Sequence, residues 1–146
     1  MTILLTEQDV TYFDALKRRR SEAQSPGRPV VVFRDGTSPR RNDCHSNAAR
    51  WASEDHHTVP VHGWLIEADD GYHLRLAAHS LLKDKKGGLL DITPMDPFSP
   101  LFLAHDGPAE TFFALLPRFN TITWPPSETM AQLPAADPDA SRGPDF

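Results

Sequence analysis

The spacing of apolar positions changes along the chain, from a helical period near the N-terminus to uninterrupted runs farther on. Val10, Phe13 and Leu16 recur at helical spacing behind Thr6, which is a suitable N-cap for a first helix. A second helix is predicted from the alanine-rich stretch that begins near Cys44. Two short amphipathic helices are therefore expected in the first third of the chain.

Apolar runs separated by turn residues follow and predict a sheet. Three runs separated by Asp-Gly and Lys-Gly-Gly predict an antiparallel meander, and they are Val59 to Ala68, Tyr72 to Leu82 and Leu89 to Ile92. Four shorter elements are also predicted: strands over Val30 to Phe33, Leu101 to Ala104 and Thr121 to Trp124, and a helix over Ala109 to Leu116. The predicted fold class is α+β, with helices packed on an antiparallel β-sheet in a single domain over residues 1–124. Residues 125–146 consist largely of Pro, Ala, Asp and Ser and predict an irregular tail.

Composition narrows the classes of function. A chain of 146 residues with 39% hydrophobic residues suits one modest core. With 15 basic and 20 acidic residues the net charge is −5, which argues against a nucleic-acid partner because such proteins need a positive face. Neither a membrane-spanning apolar run nor a signal-peptide pattern is present, so a cytoplasmic protein without a membrane partner is expected. A single cysteine excludes an internal disulfide.

That cysteine, Cys44, lies at the predicted start of the second helix, where the helix dipole and a nearby imidazolium would both favour the thiolate. His79 and Asp91 follow on two neighbouring predicted strands, each surrounded by apolar residues. If the turn between these strands centres on Lys85, the two residues face each other with Cβ atoms about 5 Å apart. Asp91 would then fix the tautomer of His79 and leave the other ring nitrogen to take the proton of the Cys44 thiol.

Each residue also has a plain structural interpretation. A lone cysteine is most often a small buried hydrophobe, a histidine in a strand is more often structural, and Asp91 can cap the turn at Thr93 and Pro94. The same three residues could instead ligate zinc, and His56, His57 and His62 form a second histidine-rich stretch. The usual paired metal-ligand spacings are absent, however, and neither a metal nor another cofactor is expected.

The motifs Cys44-His45-x-Asn47, His79-Ser80 and Asp91-Ile92-Thr93-Pro94 resemble a known family. Cys at a helix start, His on one strand and Asp on the next is similar to the papain-like cysteine hydrolases, in particular their transglutaminase-like and NlpC/P60-like branch, and to a group of bacterial proteins with the same short motifs. The resemblance covers residues from about Asn42 to Pro94. It implies a Cys44 nucleophile, a His79 general base and an orienting Asp91, acting in hydrolysis or acyl transfer on a peptide, amide or ester substrate. Two departures are the lack of a Trp next to Cys44 and of a Gln shortly before it.

The remaining expectations concern the surroundings of the thiol. The backbone N–H of Cys44, helped by Asn42, is the candidate oxyanion donor. His45 should point about 100° away around the helix and contact substrate from the rim. Trp51 and Trp64 are expected to line the core or the cleft. Two alternative functions stay open, namely a non-catalytic partner-binding protein on the same fold and a Cys/His/Asp metal-binding domain, and the oligomeric state is not predicted.

Overall fold

A computed structural model describes residues 4–54, 57–95 and 100–126. The helices are α1 (Glu7–Arg18), α2 (Cys44–Glu54) and α3 (Ala109–Leu115), and the strands are β1 (Thr58–Asp69), β2 (Leu74–Asp84), β3 (Leu89–Leu90), β4 (Leu101–Ala104) and β5 (Thr121–Trp124). The expected α+β class, with helices and an antiparallel sheet, is confirmed. Within the described residues no helix is both long enough and apolar enough to cross a membrane.

Helix α1 begins where its sequence signal predicts. The Thr6 hydroxyl accepts a hydrogen bond from the backbone N–H of Asp9 at 3.0 Å, and the Asp9 carboxylate accepts one from the Thr6 N–H at 2.8 Å. This reciprocal arrangement satisfies two donors that a helix start leaves open. Arg118 donates two hydrogen bonds to the same carboxylate, at 2.7 and 2.8 Å, and so ties α1 to the segment after α3.

Strand β2 is central in the sheet but its outer edge is only partly covered. One edge of β2, its inner edge, pairs with β1 along its whole length, and β4 pairs with the opposite edge of β1. On the outer edge β5 pairs with residues 74–77 and β3 with residues 82 and 83. The intervening stretch, residues 79–81, faces a gap between β5 and β3. Ser80, which follows the functional candidate His79, therefore has a backbone edge that is open to other parts of the chain.

Residues 24–27 bridge β4 and β3, which lie at the two ends of the strand order β3-β2-β1-β4. Gln24 exchanges backbone hydrogen bonds with Phe102 of β4 at 2.7 and 2.9 Å. Three residues later the Gly27 N–H donates to Leu89 of β3 at 2.8 Å, and its carbonyl accepts from the Asp91 N–H at 2.8 Å. This crossing segment thus fixes the position of the backbone that carries Asp91.

The sheet separates two apolar clusters. Even-numbered positions of β1 and β2 pack with α1 and α3 in an aromatic cluster, whose buried members are Phe13, Leu16, Trp64, Leu74, Leu76, Ala78, Leu103, Phe112, Phe119 and Trp124. Odd-numbered positions contribute to a smaller thiol cluster, formed by Cys44, Leu65, Ala77, Leu81 and Phe102. A third group, Phe33, Ala48, Leu82 and Ile92, packs along α2.

One predicted strand is wrong. Residues 30–33 form no strand; Val30 is fully exposed and Val32 mostly exposed, while Phe33 is buried. Pro29 before them has no N–H, and β3 is too short to offer a partner edge. The predicted tail lies outside the described residues from position 127 on, as does His56.

The β2–β3 turn centres on Lys86 instead of Lys85, since Leu82 pairs with Leu90. The Asp84 carboxylate sets this turn by accepting the N–H groups of Lys86 at 2.9 Å and Gly88 at 2.8 Å. The pairing is therefore shifted by two residues, and a shift of two keeps each side chain on its face. His79 and Asp91 become diagonal neighbours and remain within reach of each other.

Candidate active site

His79 and Asp91 form a buried pair. The His79 side chain on β2 is 0% exposed and Asp91, directly after β3, is 2% exposed. The Nε2–H of His79 donates to Asp91 Oδ2 over 2.7 Å. The expected contact between these residues is thus present, and it fixes the imidazole tautomer with Nδ1 as the basic nitrogen.

Two further groups hold the Asp91 carboxylate. Oδ1 accepts the backbone N–H of Thr93 at 3.2 Å, and Oδ2 also accepts a hydrogen bond from Arg28 Nη1 at 3.2 Å. Arg28 reaches this position because Gly27 before it is bonded to the Asp91 backbone. The guanidinium balances the buried negative charge, which would otherwise be costly. Its Nε and Nη2 atoms are buried and have no hydrogen-bond partner within the described part of the chain. Nothing in the local sequence marks Arg28 for this role.

Cys44 is the first residue of α2 and is 1% exposed. Its sulfur lies beside the backbone N–H groups of Ser80 and His45. The Ser80 N–H is available because it points to the outer edge of β2, as does that of Ala78, which bonds to Asn120 at 2.9 Å. The gap between β5 and β3 therefore receives the start of α2, and it places the thiol next to the residue that follows His79.

The protonation state of the thiol differs from the expectation. Burial raises the pKa of Cys44 far above its ordinary value, and the negative charge of Asp91 raises it further. The N–H groups of Ser80 and His45 act in the opposite direction but are outweighed. In this conformation desolvation by the surrounding fold therefore outweighs the stabilisation that a helix start provides to a thiolate.

Gly63 and Phe102 shape the apolar surroundings of His79. Gly63 pairs with His79 across β1 and β2, and a Cβ at this position would lie 2.8 Å from the Phe102 ring and 2.4 Å from the Leu103 carbonyl oxygen. The missing side chain lets Phe102 approach, with its ring centroid 6.5 Å from that of His79. Phe102 also lines a groove of about 640 Å³ together with Val61 and Leu89. Neither Gly63 nor Phe102 was predicted from the sequence.

His45 was expected at the rim, and the structure places it between Ser80 of β2 and Phe113 of α3. It is half-buried, its Nδ1 lies 2.5 Å from Ser80 Oγ, and its ring contacts Phe113 at 5.3 Å between centroids. His62 approaches the same hydroxyl with Nδ1 at 2.6 Å. Burial, assisted by the neighbouring His79 and His62, lowers the pKa of His45 to about 4. His45 is consequently neutral near pH 7 and belongs to a polar contact within the fold.

The other residues expected around the thiol lie in the aromatic cluster, beside Phe33 or at the surface. Trp64 is fully buried in the aromatic cluster and donates from Nε1 to Tyr12 at 2.8 Å, so it does not line a cleft. Trp51 packs beside Phe33 with ring centroids 6.2 Å apart, away from the thiol cluster. Asn42 is exposed and has a left-handed backbone with φ 61°, which asparagine adopts more readily than most residues.

Comparisons add no external assignment to this geometry. Neither protein-family models, nor curated proteins, nor solved structures gave a significant match to the chain. Among residues 4–54, 57–95 and 100–126, no group of three or more His, Cys, Asp or Glu side chains is arranged to hold a metal ion. The chemistry of the site therefore rests on its own contacts.

Proposed function

We propose that the protein is a thiol-dependent hydrolase or acyltransferase with a papain-like core, in which Cys44 is the nucleophile, His79 the general base and Asp91 the orienting acid. The observation that carries the proposal is the buried hydrogen bond of 2.7 Å between His79 and Asp91, next to a cysteine at a helix start. A buried imidazole–carboxylate pair is costly unless its partners are well placed, and it is the arrangement that makes a histidine a directed base.

The reaction begins from the neutral thiol. As the sulfur attacks the carbonyl carbon of an amide or ester, the thiol proton passes to His79 Nδ1, while Asp91 stabilises the resulting imidazolium through Nε2–H. The imidazolium then gives the proton to the leaving amine or alkoxide, and a thioester remains on Cys44. Water or an amine attacks this thioester with His79 again acting as base. The C–S bond then breaks, the imidazolium returns the proton to the Cys44 sulfur, and an acid or a new amide is released.

Access to the thiol requires a local opening, because Cys44 is 1% exposed in this conformation. The groove beside Phe102 is the candidate path, since Phe102 lines it and the ring centroid of Phe102 is 6.5 Å from that of His79. An opening that admits water would also lower the pKa of the thiol, because burial is the main reason that it is raised.

The same burial favours a second function. A thiol that is covered and holds its proton suits a non-catalytic partner-binding protein, in which Cys44 is a small core residue and the His79–Asp91 pair is structural. For a Cys/His/Asp metal-binding domain no observation of comparable weight exists, because the described residues contain no cluster arranged for a metal ion.

Acylation by an activated ester separates the two functions. We expect p-nitrophenyl acetate to give a burst of p-nitrophenolate and an acetyl group on the Cys44 peptide in mass spectrometry. The burst rate should fall by about 10²- to 10⁴-fold in His79→Gln and disappear in Cys44→Ala. His73→Gln is a matched control, because this histidine lies at the surface near the β1–β2 turn. A folded protein that is not acetylated at Cys44, or equally so in His79→Gln, would favour the binding function.

A further inference from the structure

Asn47 is a buried polar residue one helical turn after Cys44. It lies on α2 and is 3% exposed. Its side chain makes three hydrogen bonds: Oδ1 accepts the Arg40 N–H at 3.2 Å, and Nδ2 donates to the Arg40 carbonyl at 2.8 Å and to Thr93 Oγ1 at 3.0 Å. An amide with this many bonds is fixed in orientation.

The bond to Thr93 leads directly to the carboxylate of the candidate triad. Thr93 is 3% exposed, and its backbone N–H donates to Asp91 Oδ1 at 3.2 Å. Asp91 in turn holds His79 through its other oxygen. A continuous set of buried hydrogen bonds therefore runs from the first turn of α2 to the imidazole.

We propose that Asn47 is a positioning residue that sets the Cys44-bearing end of α2 against the Asp91–Thr93 segment. This inference rests on the function proposed above, because it assigns a task to Asn47 within that site. The helix and the segment after β3 are far apart in sequence, and their relative placement decides whether thiol, imidazole and carboxylate line up. Reacting groups tolerate little displacement, and an error of about 1 Å can cost roughly 100-fold in rate.

Asn47 also anchors the loop before α2 through Arg40, so a loss of stability alone would not identify a positioning role. Thr93 separates the two tasks. Thr93→Val keeps the shape and the backbone N–H to Asp91 but removes the acceptor for Asn47, and it leaves both Arg40 bonds intact. Thr93→Ser keeps the acceptor oxygen and is the conservative control.

The test combines two readouts on the full chain. The first is the burst rate with p-nitrophenyl acetate, measured well below the melting temperature of each variant. The second is the proton resonance of His79 Nε2–H in ¹⁵N-labelled protein, which reports the hydrogen bond to Asp91 without any need for turnover. We expect Asn47→Ala and Thr93→Val to slow acylation by about 10- to 100-fold and to shift or broaden this resonance, with Thr93→Ser close to wild type.

The double variant should be little slower than Asn47→Ala alone, because both changes break the same link. Folded Asn47→Ala and Thr93→Val proteins with acylation rates and His79 resonances like those of the wild type would overturn the proposal and leave Asn47 as a loop anchor. If the wild type itself is not acylated, the proposed function fails. The resonance then decides the positioning role by itself: an unchanged signal in both variants refutes it, and a shifted one supports it.

Discussion

The aromatic cluster and the triad region, defined as Cys44, Asn47, His79, Asp91 and Thr93, are both buried but are built differently. In the aromatic cluster the ring centroid of Phe13 lies 5.2 to 5.5 Å from the ring centroids of Trp64, Phe119 and Trp124. In the triad region all five residues are buried, and all of them except Cys44 are polar. Apolar burial supplies most of the driving force for folding, whereas buried polar groups hold position at little net gain. The aromatic cluster therefore stabilises the fold within which the triad region keeps its geometry.

The largest expected effect is a loss of stability from the aromatic cluster. Phe13→Ala should lower the free energy of unfolding by about 3 to 5 kcal/mol, because a fully buried ring is lost and a cavity remains. Chemical denaturation is the measurement. Phe113→Ala is the matched control, since this ring is 39% exposed and should cost less than half as much. Equal losses from the two substitutions would contradict the contrast between the regions.

In the triad region one substitution should affect both stability and chemistry. Asp91→Ala leaves the N–H groups of His79 and Thr93 and the Arg28 guanidinium without their acceptor, so we expect a loss of about 2 to 3 kcal/mol. The ester burst should slow by about 10²- to 10⁴-fold in the protein that remains folded. Asp106→Ala, at an exposed turn, should change neither. An Asp91→Ala protein with wild-type stability would show that the buried pair contributes nothing to the fold.

Alkaline pH should weaken the native state through Cys44. Its pKa in the folded protein is raised above the ordinary value of 9.0, so the folded state keeps a proton that the unfolded state loses. The contribution of the thiol to stability is therefore fully present below about pH 9 and decreases as the pH rises above it. Denaturation at about pH 8 and pH 10 should show a larger decrease for wild type than for Cys44→Ala. Tyr12, whose pKa burial raises to about 12, acts equally in both proteins. Identical decreases in the two proteins would mean that folding does not raise the pKa of the thiol.

The smallest expected effect lies on the acid side, at the edge of the aromatic cluster. Hydrogen bonds from Arg118 lower the pKa of Asp9, so the ion pair stabilises the protein above the ordinary pKa of 3.8 and is lost as the pH falls below it. Asp9→Asn should lower the free energy of unfolding by up to about 1 kcal/mol near pH 7. The loss is small because Arg118 is partly exposed. The difference in unfolding free energy between Asp9→Asn and wild type should become smaller near pH 2. A cost that is independent of pH would assign the effect to the helix cap alone.

Local signals in the sequence predicted most of the elements. Thr6 and Asp9 marked the start of α1, and the boundaries of β4 and β5 agree with prediction because turn and proline residues define them. The strand expected at Val30 failed for a non-local reason, namely the lack of a strand partner. The turn centre shifted by one residue because the Asp84 side chain, and not the apolar pattern, sets the loop.

The sequence singled out Cys44, His79 and Asp91 as candidates but did not predict their environment. Cys44, His79 and Asp91 were recognisable by residue type and order, and the contact between the last two followed from the hairpin. Arg28 and Phe102 could not be predicted, because the crossing of residues 24–27 and the pairing of β4 with β1 bring them to the site. The raised pKa of the thiol was missed for the same reason, since desolvation depends on the packing of distant segments.

We propose that His79 activates Cys44, and the rate of Cys44 alkylation in the native protein tests this claim. Iodoacetamide modification is followed by mass spectrometry of the Cys44 peptide at about pH 8, for wild type, His79→Gln and the control His73→Gln, with unfolded samples to give the intrinsic rate. Native wild type should react more slowly than the unfolded chain because the thiol is buried, yet at least about 10-fold faster than native His79→Gln. Equal rates for these two folded proteins would contradict the claim and leave Cys44 as a small apolar residue of the core.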